Sequence, residues 1–162
     1  MLLHIKQKVF SIGDKFTITD DTGADRFYVE GEIFTFGKKL HIYDMTGREV
    51  AFLKQQLFCF LPKFQIFRNG EQIAQIEKRL TLFSPSYDVT GLGWEVSGHF
   101  LDHDYRITAG SRTVAVIAKK WIAWSDTYTL EVPDPREAEL ALAVVLAIDC
   151  VLDAQQARNN SN

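Results

Sequence analysis

The chain predicts a mainly β fold: a closed barrel of about twelve mostly antiparallel strands around a central apolar C-terminal α-helix. Three observations lead there. A strand–turn–strand pattern recurs at a 24-residue period, its turns are too short to be crossovers, and the last segment is apolar almost all round.

The repeat sets the elements in order. KFTITDDTG from Lys15, KLHIYDMTG from Lys39 and KFQIFRNG from Lys63 each read Lys, apolar, variable, Ile, and then a turn closed by Gly23, Gly47 or Gly70. Fainter copies follow at Tyr87-Asp88-Val89, Tyr105-Arg106-Ile107 and Tyr128-Thr129-Leu130. The return arms repeat too, as Val50-Ala51, Ile73-Ala74 and Val114-Ala115. β-Branched and aromatic residues fill the arms, and Gly or Asn at the turns accepts positive φ without a Cβ clash. Six such units, with a first strand LHIKQKVF from Leu3, give strands over about 2–132, and closure removes exposed edges.

After Pro133 the pattern changes to a helix over about 135–157, with Asp134 as N-cap, Pro135 at the first position and Glu137 placed for a capping box. Its longest uncharged stretch, Leu140 to Ile148, is far short of the roughly 20 residues that span a bilayer. A twelve-stranded barrel has a radius near 12 Å, enough for a helix about 10 Å across. The helix is thus expected to be the core of a single domain, residues 1–162.

Apolar residues make up 46% and charged residues 24%, which excludes a disordered chain. Eighteen Lys and Arg against 21 Asp and Glu argue against a phosphate-backbone binder, so no nucleic acid is expected. Two cysteines and a start, MLLHIKQKVF, without a signal-peptide core point to a cytoplasmic protein, with peripheral membrane contact as its extension.

The run IKQKVFSIGDKFTITDDTG, then YVEGE, GKKLHIYD and GLGWEVSG followed by HDY, resembles the LURP-one-related family of tubby C-terminal-like proteins. The resemblance covers the chain from Ile5 to the last helix. It implies the same twelve-stranded, helix-filled barrel, in a group that includes the phosphoinositide-binding tubby domain and the phospholipid scramblases. No residue of the tubby phosphoinositide pocket can be aligned here, so the resemblance informs architecture more than function.

Four groups of residues are candidates for chemistry. His99, Asp102, His103 and Asp104 could hold a divalent metal if the chain bends between them, or simply form a turn. Lys38, Lys39, Lys119 and Lys120 sit at strand ends and could bind an anionic lipid head group, although the lysines at repeat phase read as architecture. Leu57-Phe58-Cys59-Phe60-Leu61, Phe34-Thr35-Phe36 and Leu82-Phe83 could dip into a membrane, but their periodic recurrence favours packed strands. Asp149 stands alone on an apolar helix, so it should lie at the barrel mouth or be paired with a strand Lys or Arg. Cys59 and Cys150 are expected to be buried and inert. Trp94 reads as a core or hairpin residue, and Trp121 and Trp124 adjoin Lys119-Lys120. There is no catalytic or nucleotide-binding motif, and no cofactor is expected.

The favoured reading is a non-enzymatic binding or scaffold module for an anionic phospholipid or membrane surface. The alternatives are a protein-interaction module without a small-molecule ligand, and a metal-dependent enzyme using the His99–Asp104 cluster.

Overall fold

The structure, a computed structural model, describes residues 1–6, 15–33, 35–122 and 125–161. Its strands are β1 (Leu2–Lys6), β2 (Lys15–Asp20), β3 (Asp25–Gly31), β4 (Lys39–Asp44), β5 (Glu49–Gln56), β6 (Lys63–Arg68), β7 (Glu71–Arg79), β8 (Ser86–Thr90), β9 (Trp94–His99), β10 (Asp104–Ala109), β11 (Arg112–Ile122) and β12 (Ser125–Glu131). Each pairs antiparallel with its sequence neighbour. β1 pairs with β12 and closes the barrel, and reciprocal bonds between Met1 and Val132 extend that seam. Residues 7–10 of the expected first strand lie outside the described residues.

The repeat is written into the packing. The Ile of each strong copy, Ile18, Ile42 and Ile66, and its equivalents Val89, Ile107 and Leu130 in the faint ones, point inward with no exposure. Two residues earlier, Phe16, Leu40, Phe64, Tyr87, Tyr105 and Tyr128 form a second inward layer, as the two-residue side-chain period requires. The repeated pairs of the return arms mark β-bulges. Ile42 faces Ala51 while Tyr43 faces Glu49, so Val50 is the extra residue, and Ile73 and Val114 are inserted in the same way. A bulge adds local twist and bend, which helps the sheet curl shut.

The helix α1 (Ala138–Asn160) follows a 3-10 turn at Pro135–Glu137 and ends three residues later than the sequence suggests. Asp134 caps that turn, its carboxylate accepting from the Arg136 backbone N–H, with Pro135 behind it. Glu137 closes no capping box; it pairs instead with Arg112 at 2.7 and 2.9 Å. From Ala141 to Ile148 no side chain is exposed, so the helix is core on every face.

Candidate functional site

Antiparallel alternation gives the barrel two unlike ends. Connections from even to odd strands are tight turns on one rim, where the chain also passes from β12 into α1. Connections from odd to even strands lie on the other rim, where α1 finishes, and those after β3, β5 and β7 are longer loops.

The turn rim is clamped by ion pairs. Asp20 and Asp44 accept from turn backbone N–H groups two and four residues on. Hydrogen bonds from Thr46 and Arg48 outweigh a small desolvation cost and hold the Asp44 carboxyl down to about 2. Glu139, in the first turn of α1, accepts from Arg48 at 3.0 Å and Arg68 at 2.9 Å. Together with Arg112–Glu137 these contacts fix the start of the helix to the β4–β5 turn, β6 and β11.

The loop rim has the opposite character. Eleven large apolar side chains are exposed among the described residues, and nine of them sit here, on only four loops. Phe36, Phe58, Phe60, Leu82 and Phe83 are at least 92% exposed. The barrel interior is already filled by α1, so loop side chains find no room inside. The expectation that these runs are packed strands is therefore corrected, although Phe34 lies outside the described residues. Cys59 is corrected with them. It is half-buried on the β5–β6 loop rather than sequestered, whereas burial pushes the Cys150 thiol far above its usual range.

Every lysine among the described residues, from Lys6 to Lys120, belongs to the loop-rim half of its strand or to a rim loop. Lys39 reaches Glu32 at 3.1 Å, Lys63 reaches Glu77 at 3.1 Å, and Lys38 stands 3.8 Å from Asp153 on α1. Lys119 and Lys120 are exposed near the end of β11, and Lys120 adds to the desolvation that lowers the pKa of His4. The two candidate pairs do not converge on one pocket. β4 and β11 are five strands apart around the barrel, on the order of 20 Å, so the lysines form a ring of charge. The side chains of Trp121 and Trp124 lie outside the described residues, whereas Trp94 is buried at the start of β9.

The His99–Asp104 segment is a 3-10 turn, Phe100–Asp102, followed by His103 with a left-handed φ of 49°. That conformation turns the His103 ring inward, while His99, Asp102 and Asp104 stay exposed. No group of three or more His, Cys, Asp or Glu among the described residues is placed to hold a metal ion.

His103 meets Asp149. The Tyr128 hydroxyl donates to Asp149 Oδ2, and His103 Nε2 stands 3.3 Å from Oδ1. The His103 ring stacks on Tyr128 at 4.3 Å, and the buried Tyr105 hydroxyl has no hydrogen-bond partner among the described residues. Desolvation dominates, so the Asp149 carboxyl titrates above its usual range despite His103 and Tyr128. Asp149 is thus neither at the mouth nor on a Lys or Arg. Its partners could have been sought in the repeat, where Tyr87, Tyr105 and Tyr128 occupy the phase held by Phe16, Leu40 and Phe64.

Beside these groups a cleft of about 370 Å³ opens on the loop rim, between the β7–β8 loop, the 3-10 turn and the end of α1. Tyr87, Phe100 and Leu152 line it, with Lys78 and Asp102 as its charged members. On the outer wall Tyr43 and Phe52 flank His41 in a stacked row. The Glu49 and Glu32 carboxylates, 2.6 and 2.8 Å from its ring nitrogens, outweigh the effect of burial and raise its pKa.

Comparison with known proteins adds three findings. The family model described as LURP-one-related matches residues 1–149. The uncharacterized protein YxjI of Bacillus subtilis is 31% identical over 150 residues, 93% of each chain. The X-ray structure of an Arabidopsis thaliana protein superposes with a TM-score of 0.64 at 22% identity, covering 91% of this chain and 90% of that one, and shares the fold.

Proposed function

This chain belongs to the LURP-one-related family, and we propose that it is a non-enzymatic binding module whose loop rim docks on an anionic membrane surface. The observation that supports the reading is the coincidence, on one rim, of the exposed apolar side chains with the lysines. Apolar tips that enter the acyl boundary, flanked by cations at head-group level, are the two signals that reversible membrane attachment uses. Each lysine near an anionic leaflet contributes about 1 kcal/mol, and the ring needs no stereospecific pocket. The turn rim, with its arginines committed to carboxylates, faces away from the membrane.

The test is co-sedimentation of the protein with neutral and with anionic vesicles at low and moderate salt. Binding to the anionic set that weakens with salt is expected, and is reduced by charge reversal at Lys38, Lys39, Lys119 and Lys120 together. Equal binding to both vesicle types, or none, would overturn the reading.

A second reading, a protein partner held on the outer wall, has its own observation in the aromatic row of Tyr43, His41 and Phe52. Loss of a co-purifying partner on Phe52→Ala, with vesicle binding unchanged, would favour it.

A further inference from the structure

We infer that the cleft beneath the β7–β8 loop seats one acyl chain of an anionic membrane lipid, its head group held at the mouth by Lys78. The inference rests on the membrane reading for the source of the chain, but the site itself stands on its own geometry.

The floor is apolar and rigid. Phe100 packs edge-on to Tyr87 at 5.0 Å and tilted against Tyr105 at 4.9 Å, so the 3-10 turn is anchored from inside the barrel. Tyr87 lies in the inward layer, where burial pushes its hydroxyl up to about 12, and Leu152 closes the far side from α1. Gly98 keeps the wall thin. A Cβ there would fall 2.6 Å from the Asp104 carbonyl oxygen and from Tyr105 Cα, so the β9–β10 strands close up at the turn and leave the cleft beside them. The mouth lies among exposed loop-rim residues, Phe83 and Leu101, which a docked bilayer would surround.

Size and charge name the occupant. A methylene takes about the room of a water molecule, roughly 30 Å³, so about 370 Å³ seats on the order of ten carbons of a single chain. A single chain of that length matches both the volume and the Tyr87, Phe100 and Leu152 floor. Lys78 makes no ion pair among the described residues and is the cation at the mouth. Asp102 opposes it from the 3-10 turn, so an anionic head group is attracted by one residue and repelled by the other.

The test titrates dodecyl phosphate, held below micelle formation, into the full chain by calorimetry, beside its shorter homologues and inorganic phosphate. One-to-one binding is expected, about fourfold tighter per added methylene until the cleft is full near ten carbons, and flat beyond. Inorganic phosphate alone should not bind. Filling the cleft with Leu101→Trp, or from its floor with Leu152→Phe, should weaken dodecyl phosphate at least tenfold. Lys78→Ala should weaken it about fivefold, and Asp102→Asn should tighten it.

A chain-length gain that never levels off, or affinity indifferent to both filling variants, would overturn the site. Binding of the monomer by a protein that ignores anionic vesicles would overturn the membrane as the source while leaving the chain site in place. Vesicle binding with no monomer binding would do the reverse.

Discussion

Replacing Phe58 and Phe60 together with alanine should leave the fold as it is and remove much of the affinity for membranes. The two rings are 104% and 94% exposed, so water already solvates nearly all of their surface in the native state. Truncating them deletes no packing, and the cost to folding should stay within about 0.5 kcal/mol. For a chain of this size that is a shift of about 2 °C or less in Tm. At a membrane the same surface becomes valuable. Full burial of a phenylalanine is worth about 1.5–3 kcal/mol, and half-burial at the acyl boundary leaves about 1 kcal/mol each. Loss of both rings should then lower the partition coefficient on anionic vesicles about thirtyfold. Vesicle flotation at several lipid concentrations measures the partition, and thermal unfolding measures the control. An unchanged partition coefficient would refute the loop rim as the membrane-facing surface. A fall in Tm of many degrees would refute the exposure on which the reasoning depends.

Three further expectations concern what lies behind the rim. Leu146 is fully buried at the centre of α1, and Leu146→Ala should cost about 2–5 kcal/mol, a drop in Tm of several degrees or more; a smaller drop would deny that the helix is core. The Asp149 carboxyl titrates above its ordinary 3.8, so the native state holds its proton more tightly than the unfolded chain and the wild type loses stability as pH rises above that value. Relative to the wild type, Asp149→Asn should therefore gain stability between pH 3.5 and 7, and parallel unfolding curves across that range would contradict it. His41 has the opposite sense. Its pKa is raised above 6.5, so the stability it draws from Glu49 and Glu32 is fully present below 6.5 and lost as pH rises through the native value. The advantage of the wild type over His41→Gln should shrink in alkaline buffer, and an advantage as large at pH 9 as at pH 6 would count against the pairing.

The barrel was legible because its information is periodic. Lys, apolar, variable, Ile and a glycine-closed turn fix strand direction, inward phase and hairpin length at once, and six copies leave little freedom for another topology. The Val50-Ala51, Ile73-Ala74 and Val114-Ala115 pairs were visible as a recurrence, but their meaning as bulges needs the register of the partner strand. The rim was harder to read, because periodicity carries no record of exposure. Leu57-Phe58-Cys59-Phe60-Leu61 satisfies the composition of a buried strand, and only a barrel interior already filled by α1 forces it outward. The same limit applies to His103. A strand period places it with His99, whereas one left-handed residue after a 3-10 turn sends it to Asp149, 46 positions along the chain. Charge was legible residue by residue and illegible as a pattern. A net charge of −3 conceals lysines gathered at one end and, at the other, the Arg48–Glu139 and Arg112–Glu137 pairs that hold the start of α1.

The orientation of the barrel on a bilayer tests the central claim most directly. With Cys59→Ser to clear the rim and Cys150 buried, a single cysteine placed by Phe36→Cys, Phe83→Cys or, on the turn rim, Met45→Cys can carry a fluorophore. Quenching by nitroxide-bearing lipids in anionic vesicles then reports which end meets the membrane. Strong quenching at positions 36 and 83 with none at 45 is the expected result. Equal quenching at all three positions, or quenching at 45 alone, would contradict docking through the loop rim.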